Sequence, residues 1–226
     1  MIITIDGPVA SGKSTIGKLL AQKIGAYYLY TGLLYRALAY LLIENFGYTF
    51  DSIGNPDQTK VKPLLDSNRF TYRYNERGEQ IFFDGIDITP FIKNPLIDQA
   101  ASILSANNQV REQLNKIQRA IADDQTIVID GRDAGSVVFS HAEYKFFLTA
   151  DEKERAHRWQ AQQATRGNMV SFDQAITSIH TRDQRDSQRT YAPLIIPHRA
   201  HVIDTTGMKV EEVIVKMISY MKNSFR

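Results

Sequence analysis

The first 25 residues, "MIITIDGPVASGKSTIGKLLAQKIG" (Met1–Gly25), decide the fold. "MIITID" is a short apolar run rich in β-branched side chains, the pattern of a strand buried between layers. "STIGKLLAQKIG" repeats apolar residues at helical spacing (Ile16, Leu19, Leu20, Ile24), and Gly25 supplies the stop. Between them, "GPVASGKS" (Gly7–Ser14) satisfies G-x-x-x-x-G-K-[ST] in the strand–loop–helix setting that this pattern needs. Glycines let the backbone wrap closely around phosphate oxygens, successive N–H groups point inward, and the helix N-terminus adds a favourable field. Gly7, Pro8, Val9, Ala10, Ser11, Gly12, Lys13, Ser14 and Thr15 are therefore the expected triphosphate-binding residues. Lys13 bridges the β- and γ-phosphates as a point charge, and the Ser14 hydroxyl is the expected metal ligand, to Mg²⁺. The loop specifies a nucleoside triphosphate and leaves the acceptor open.

Working outward, "AYYLY" reads as a second short strand, followed by a helix from about Thr31 to Phe46. "TIVID" (Thr126–Asp130), "YKFFLTA" (Tyr144–Ala150) and "AHVIDT" (Ala200–Thr205) are continuous apolar runs of strand length, as expected of strands covered on both faces. Helical patterns fill the intervals: "NPLIDQAASILSA", "NQVREQLNKIQRAIAD", "DEKERAHRWQAQQATR", "SFDQAITSIHTRDQRDSQR" and "KVEEVIVKMISYMKNSF". This alternation predicts an α/β domain, doubly wound on a parallel sheet. From about Pro63 to Pro90 the pattern changes. "RFTYRYNERGEQIFFDGIDIT" alternates with a period of two and carries turn signals at "NERG" and "DG", a small antiparallel insertion.

A chain of 226 residues with 43% hydrophobic content can bury a full core. Its 27 Lys and Arg nearly cancel 25 Asp and Glu, so any basic site is local, and a nucleic-acid partner is not expected. The absence of cysteine excludes disulfides and thiolate metal sites and fits a reducing compartment. No apolar run approaches a membrane span, and "MIITI" lacks the features of a signal peptide, so a cytoplasmic location without membrane association is expected. A guanine-reading N-K-x-D segment is missing, since "NKIQ" (Asn115–Gln118) lacks the aspartate; this ranks a GTPase switch below a small-molecule kinase.

The remaining charge is concentrated. Arg36 interrupts an apolar helix pattern and needs a partner. "RDQRDSQR" (Arg182–Arg189), if helical, sets Arg182, Asp186 and Arg189 on one face and turns Asp183 away. Alone, those eight residues suit either an exposed salt-bridge ladder or a wall that holds a charged ligand.

With "GPVASGKST", "TGLLYRALA", "DGRDAGSVVF", "KFFLTADEKERAHR" and "RDQRDSQRTYAPL" in order, the whole chain resembles the cytidylate kinase family, enzymes that move the ATP γ-phosphoryl group to CMP or dCMP in pyrimidine metabolism. The resemblance implies a three-layer P-loop kinase fold with a central parallel sheet, an antiparallel NMP-binding insertion and a small helical lid. It implies one domain, 1–226, with a core (1–60, 91–150, 190–226), an insertion (about 61–90) and a lid (about 151–189), acting as a monomer. By matching position, Arg36, Arg132 and Arg189 serve the acceptor phosphate, and Arg182 and Asp186 the ribose. Ser102, Arg111 and Asp133 read cytosine, and Thr31 belongs to the same acceptor site. A carboxylate such as Asp133 accepts from the exocyclic amine of cytosine but would face a carbonyl in uracil. Lys13, Arg132 and the lid arginine Arg158 are the expected catalytic residues, with Arg155 and Arg166 as further lid candidates. Asp130 either orients Mg²⁺ waters or caps the turn that follows it. Trp159 is read as a packing residue, and Asp183 and Gln188 as solvated. The chain departs from the family at Tyr30, where an aspartate usually precedes the Ser/Thr-Gly pair, and at Ser140, where proline is usual. The alternatives are a kinase for another small acceptor, UMP or shikimate, and a P-loop binding module without turnover.

Overall fold

The computed structural model describes residues 1–223. Five strands form one sheet in the order β2-β6-β1-β7-β8: β1 (Ile2–Asp6), β2 (Tyr27–Tyr30), β6 (Ile127–Asp130), β7 (Tyr144–Thr149) and β8 (His201–Asp204). β1 lies between β6 and β7, parallel to both, with Ile5 opposite Asp130 on one side and Phe146 on the other. Ile3, Ile5, Val128, Ile129, Phe146 and Leu148 are fully buried, as the continuous apolar runs require. The smaller sheet is β3 (Phe70–Asn75), β4 (Gly78–Phe83) and β5 (Ile86–Asp87), antiparallel throughout. Its second turn is the expected Asp-Gly pair: Asp84 and Gly85 take φ of 49° and 80°, the left-handed region a tight hairpin demands.

The chain groups into two compact units, residues 1–28 with 125–226, and residues 29–124. The first holds the sheet strands β1 and β6 to β8 together with α1 (Lys13–Ile24), α6 (Glu152–Ala164), α7 (Phe172–Gln188) and α8 (Val210–Asn223). α1 runs against β1, β6 and α8. It begins after Gly12 (φ 92°) and ends at Gly25, also left-handed, whose N–H caps the carbonyls of Ala21 and Gln22. α7 opens on a reciprocal cap between Ser171 and Gln174, and pairs with α6. The second unit is built on α2 (Thr31–Phe46), whose Leu33, Leu34, Leu38 and Leu42 are buried, and which packs on α4 (Pro95–Leu104), α3 (Gln58–Leu64), α5 (Asn108–Ala122) and β4. The helix α3 has no counterpart in the sequence reading; Pro63 lies inside it, which masks its helical character. No helix among the described residues is long and apolar enough to cross a membrane.

Candidate active site

The phosphate loop adopts the shape its residues allow. A Cβ on Gly7 would lie 2.0 Å from the carbonyl oxygen of Leu148, so only glycine fits there. Ala10 also has a positive φ, 58°, which re-aims the backbone within the loop. α1 carries no acidic residue in its first turn, leaving the positive end of its dipole uncancelled. Lys13 is buried, and its ammonium folds back to donate to the Pro8 carbonyl at 2.5 Å and the Ser11 hydroxyl at 3.2 Å. Burial and the neighbouring Arg132 push its pKa well down, against the pull of Asp130, Asp183 and Asp186.

Beneath the loop lies Asp6, which the sequence reading passed over. Its carboxylate is fully buried at the end of β1 and accepts from the Ala134 N–H at 2.9 Å and the Gly135 N–H at 2.7 Å. Those amides start the single π-helical turn Ala134–Val138 that follows Arg132 and Asp133. Burial pushes the Asp6 pKa up to about 7, with Asp133 adding to the rise and the two backbone donors and Lys13 opposing it. The signal was present in the sequence: both strand ends beside the site carry Asp-Gly, at Asp6-Gly7 and Asp130-Gly131.

Around Asp186 a cluster of charges forms. Asp186 is buried and accepts from Arg132 Nε at 2.9 Å, and Arg189 Nη1 stands 3.7 Å from its second oxygen. Arg189 Nη2 lies 3.6 Å from Asp133, while its Nε donates to the Ala192 carbonyl at 2.5 Å. Burial would raise the pKa of Asp186; Arg132, Arg182 and Arg189 outweigh it, and the net shift is downward. The cluster is therefore one network holding Arg132, Asp133, Asp186 and Arg189, with Arg182 close enough to contribute. α7 ends at Gln188, and Arg189 as its C-cap keeps a helical φ of −64°, so it meets Asp186 at the i,i+3 spacing of the helix face before its ψ of 141° turns the chain out of the helix.

Asp183 does not keep the solvated role expected of it. One carboxylate oxygen accepts from the Val9 N–H at 2.8 Å, and the other pairs with Arg155. Arg155 is itself buried, donating also to the carbonyls of Val9 and Ala150. Arg158 donates to Glu154 at 3.0 Å and twice to Thr205, whose hydroxyl reaches the Ser11 carbonyl at 3.3 Å and the Thr149 carbonyl at 3.0 Å. Trp159 packs against the apolar cluster of Val9, Ala156, Ala175 and Ile179, as expected.

In the second unit, Arg36 finds its partner. Its guanidinium pairs with Asp98 of α4, donates to the Tyr30 phenol oxygen, and sits 5.1 Å from the centroid of that ring. Burial lowers its pKa and these two neighbours more than reverse the effect, so it stays charged. Asp98 thus supplies Arg36 with a carboxylate, and the Tyr30 phenol contributes an acceptor. Thr31 is buried at the start of α2, and Ser102 is buried on α4. Arg111 donates to the Ser105 carbonyl at 3.0 Å and lies over the Tyr35 ring at 5.4 Å.

Comparison with known proteins points the same way. The sequence model of the family described as cytidylate kinase matches residues 3–223. The chain is similar to the cytidylate kinase of Carboxydothermus hydrogenoformans, 36% identical over 218 residues that cover 96% of both chains. It is 38% identical over 216 residues to the cytidylate kinase of Caldicellulosiruptor bescii, covering 96% of this chain and 93% of that one. Among solved structures, it resembles an uncharacterized protein from Eubacterium ventriosum with a TM-score of 0.55 at 14% identity, covering 99% of this chain and 98% of that one. At that identity the likeness concerns the fold.

Proposed function

The chain belongs to the cytidylate kinase family, and we propose on that premise that it transfers the γ-phosphoryl group of ATP to CMP and dCMP, giving CDP and dCDP. The observation that carries the reading is the pairing of a Walker-type loop with a buried network of Arg132, Asp133, Asp186 and Arg189 in the same unit. A phosphate acceptor is already ionised near neutral pH, so no strong general base is needed, and catalysis rests on alignment and charge. Lys13 is assigned to the β- and γ-phosphates. Arg36, Arg132 and Arg189 are assigned to the acceptor phosphate, Arg182 and Asp186 to the ribose, and Ser102, Arg111 and Asp133 to cytosine. Thr31 joins the acceptor set through the family motif.

Arg158 is assigned a place beside the donor phosphates through its links to Thr205 and, through Thr205, to Ser11. Ser14 and Asp130 offer the hard oxygen donors that suit Mg²⁺, and Asp130 lies close enough to Lys13 to raise its pKa. The described residues contain no group of three or more His, Cys, Asp or Glu able to cage a metal, which fits an ion held chiefly through substrate phosphates. When bound, Mg²⁺ neutralises charge on the β- and γ-oxygens. Residues 61–90 and 151–189 are assigned as the acceptor insertion and the lid of a cytoplasmic monomer.

A coupled assay of ATP consumption against CMP, dCMP, UMP, AMP and shikimate tests the assignment. CMP- and dCMP-dependent turnover is expected; turnover that prefers shikimate or UMP, or none with any acceptor, refutes it.

A further inference from the structure

Val9, in the middle of the phosphate loop, is held on three sides by the two helices α6 and α7. Its side chain is buried among Ala156 of α6 and Ala175 and Ile179 of α7, with Trp159 packed alongside. Its N–H donates to Asp183 of α7 at 2.8 Å, and its carbonyl accepts from Arg155 of α6 at 3.0 Å. Asp183 and Arg155 then pair with each other, closing a ring of charge and hydrogen bonds around one peptide unit. A buried backbone group needs a partner, and an isolated buried charge is costly; here each demand is met by the other. Arg155 also donates to the Ala150 carbonyl at 3.2 Å, anchoring the pair beside the end of β7.

We propose that Asp183 and Arg155 are positioning residues for the donor nucleotide, clamping the backbone of Val9 so that the phosphate loop is pre-shaped for ATP and is tied to the base of the two-helix lid. The proposal rests on the kinase reading above, but concerns a pair to which that reading gives no such role. Arg155, a further lid candidate in the family pattern, here contacts Val9, Ala150 and Asp183. A loop shaped before ligand arrives spends less of its binding energy on ordering, so loosening the clamp weakens ATP and leaves the acceptor untouched.

The test uses the full chain with Asp183→Ala, Asp183→Asn and Asp183→Glu, titrated with a fluorescent ATP analogue in the absence of CMP, and assayed for the KM of ATP and of CMP. Loss of a hydrogen bond to a charged group predicts an ATP affinity about tenfold weaker in Asp183→Ala. The loss should be smaller in Asp183→Asn and smallest in Asp183→Glu, with the KM for CMP within about twofold of wild type throughout. Unchanged ATP affinity in the folded Ala and Asn variants, or a rise in the KM for CMP equal to that for ATP, overturns the proposal. If a variant does not fold, amide exchange at Val9 in the unliganded wild type decides: strong protection is expected, and exchange at the rate of an open loop overturns it. Because analogue binding and amide exchange need no turnover, they separate failure of the clamp from failure of the cytidylate assignment, which shows as a wild type inactive with CMP.

Discussion

Replacing Asp186 by Asn would unbalance the charged cluster without changing its size. Two effects compete. Neutralising a buried carboxylate relieves its desolvation, but it strands Arg132, Arg182 and Arg189 around a neutral amide. The downward pKa of Asp186 decides between them, because attraction from the three arginines already exceeds the cost of burial. Removing one partner of a buried ion pair costs about 3–5 kcal/mol. Arg132 keeps 21% side-chain exposure and Asn retains an acceptor, so about 2–4 kcal/mol is expected here. For a chain of this length that corresponds to a fall in Tm of roughly 5–12 °C at pH 7. The sign with pH follows from the lowered pKa. The contribution is complete above the unfolded value near 3.9 and is lost as pH falls through the folded value, so the two proteins converge in acid. Thermal melts by circular dichroism from pH 7 to pH 3 measure this. Inorganic phosphate should also stabilise Asp186→Asn more than wild type, because the exposed arginine charge seeks an anion. An Asp186→Asn protein at or above the wild-type Tm at pH 7 refutes the reasoning.

Asp133→Ala should reduce the preference for CMP over UMP by about tenfold or more in kcat/KM, with a smaller effect on turnover at saturating CMP, because the discriminating acceptor is lost; an unchanged CMP-to-UMP ratio in competition assays counts against the cytosine assignment. Asp6 behaves oppositely to Asp186 in pH. Its pKa is raised to about 7, so its contribution to stability is fully present below the unfolded value near 3.9 and is lost as pH rises through about 7. The Tm of wild type relative to Asp6→Asn should therefore decline across that window, and a flat difference would show that Asp6 ionises normally.

Much of the fold was legible because its information is local. The phosphate loop needs a glycine where the backbone touches Leu148 and a lysine six positions on, all inside eight consecutive residues. The apolar runs announced β1, β6, β7 and β8, and the Asp84-Gly85 pair announced a hairpin, since period and turn chemistry act over a few residues. The charge pattern also placed Arg182 and Asp186 together, one helical turn apart.

Only the tertiary structure decided where the individual charges end. Arg132 meets Asp186 across 54 positions, Asp6 meets Ala134 across 128, and Val9 meets Asp183 across 174. Asp183 looked solvated because helical geometry turns it from the arginine face; what it turns toward is a loop from the far end of the chain. Arg36 shows the same limit: its helix is written in its neighbours, while its counter-charge at Asp98 lies 62 residues away. Sequence spacing governs which face a side chain occupies, and packing alone supplies the group opposite it.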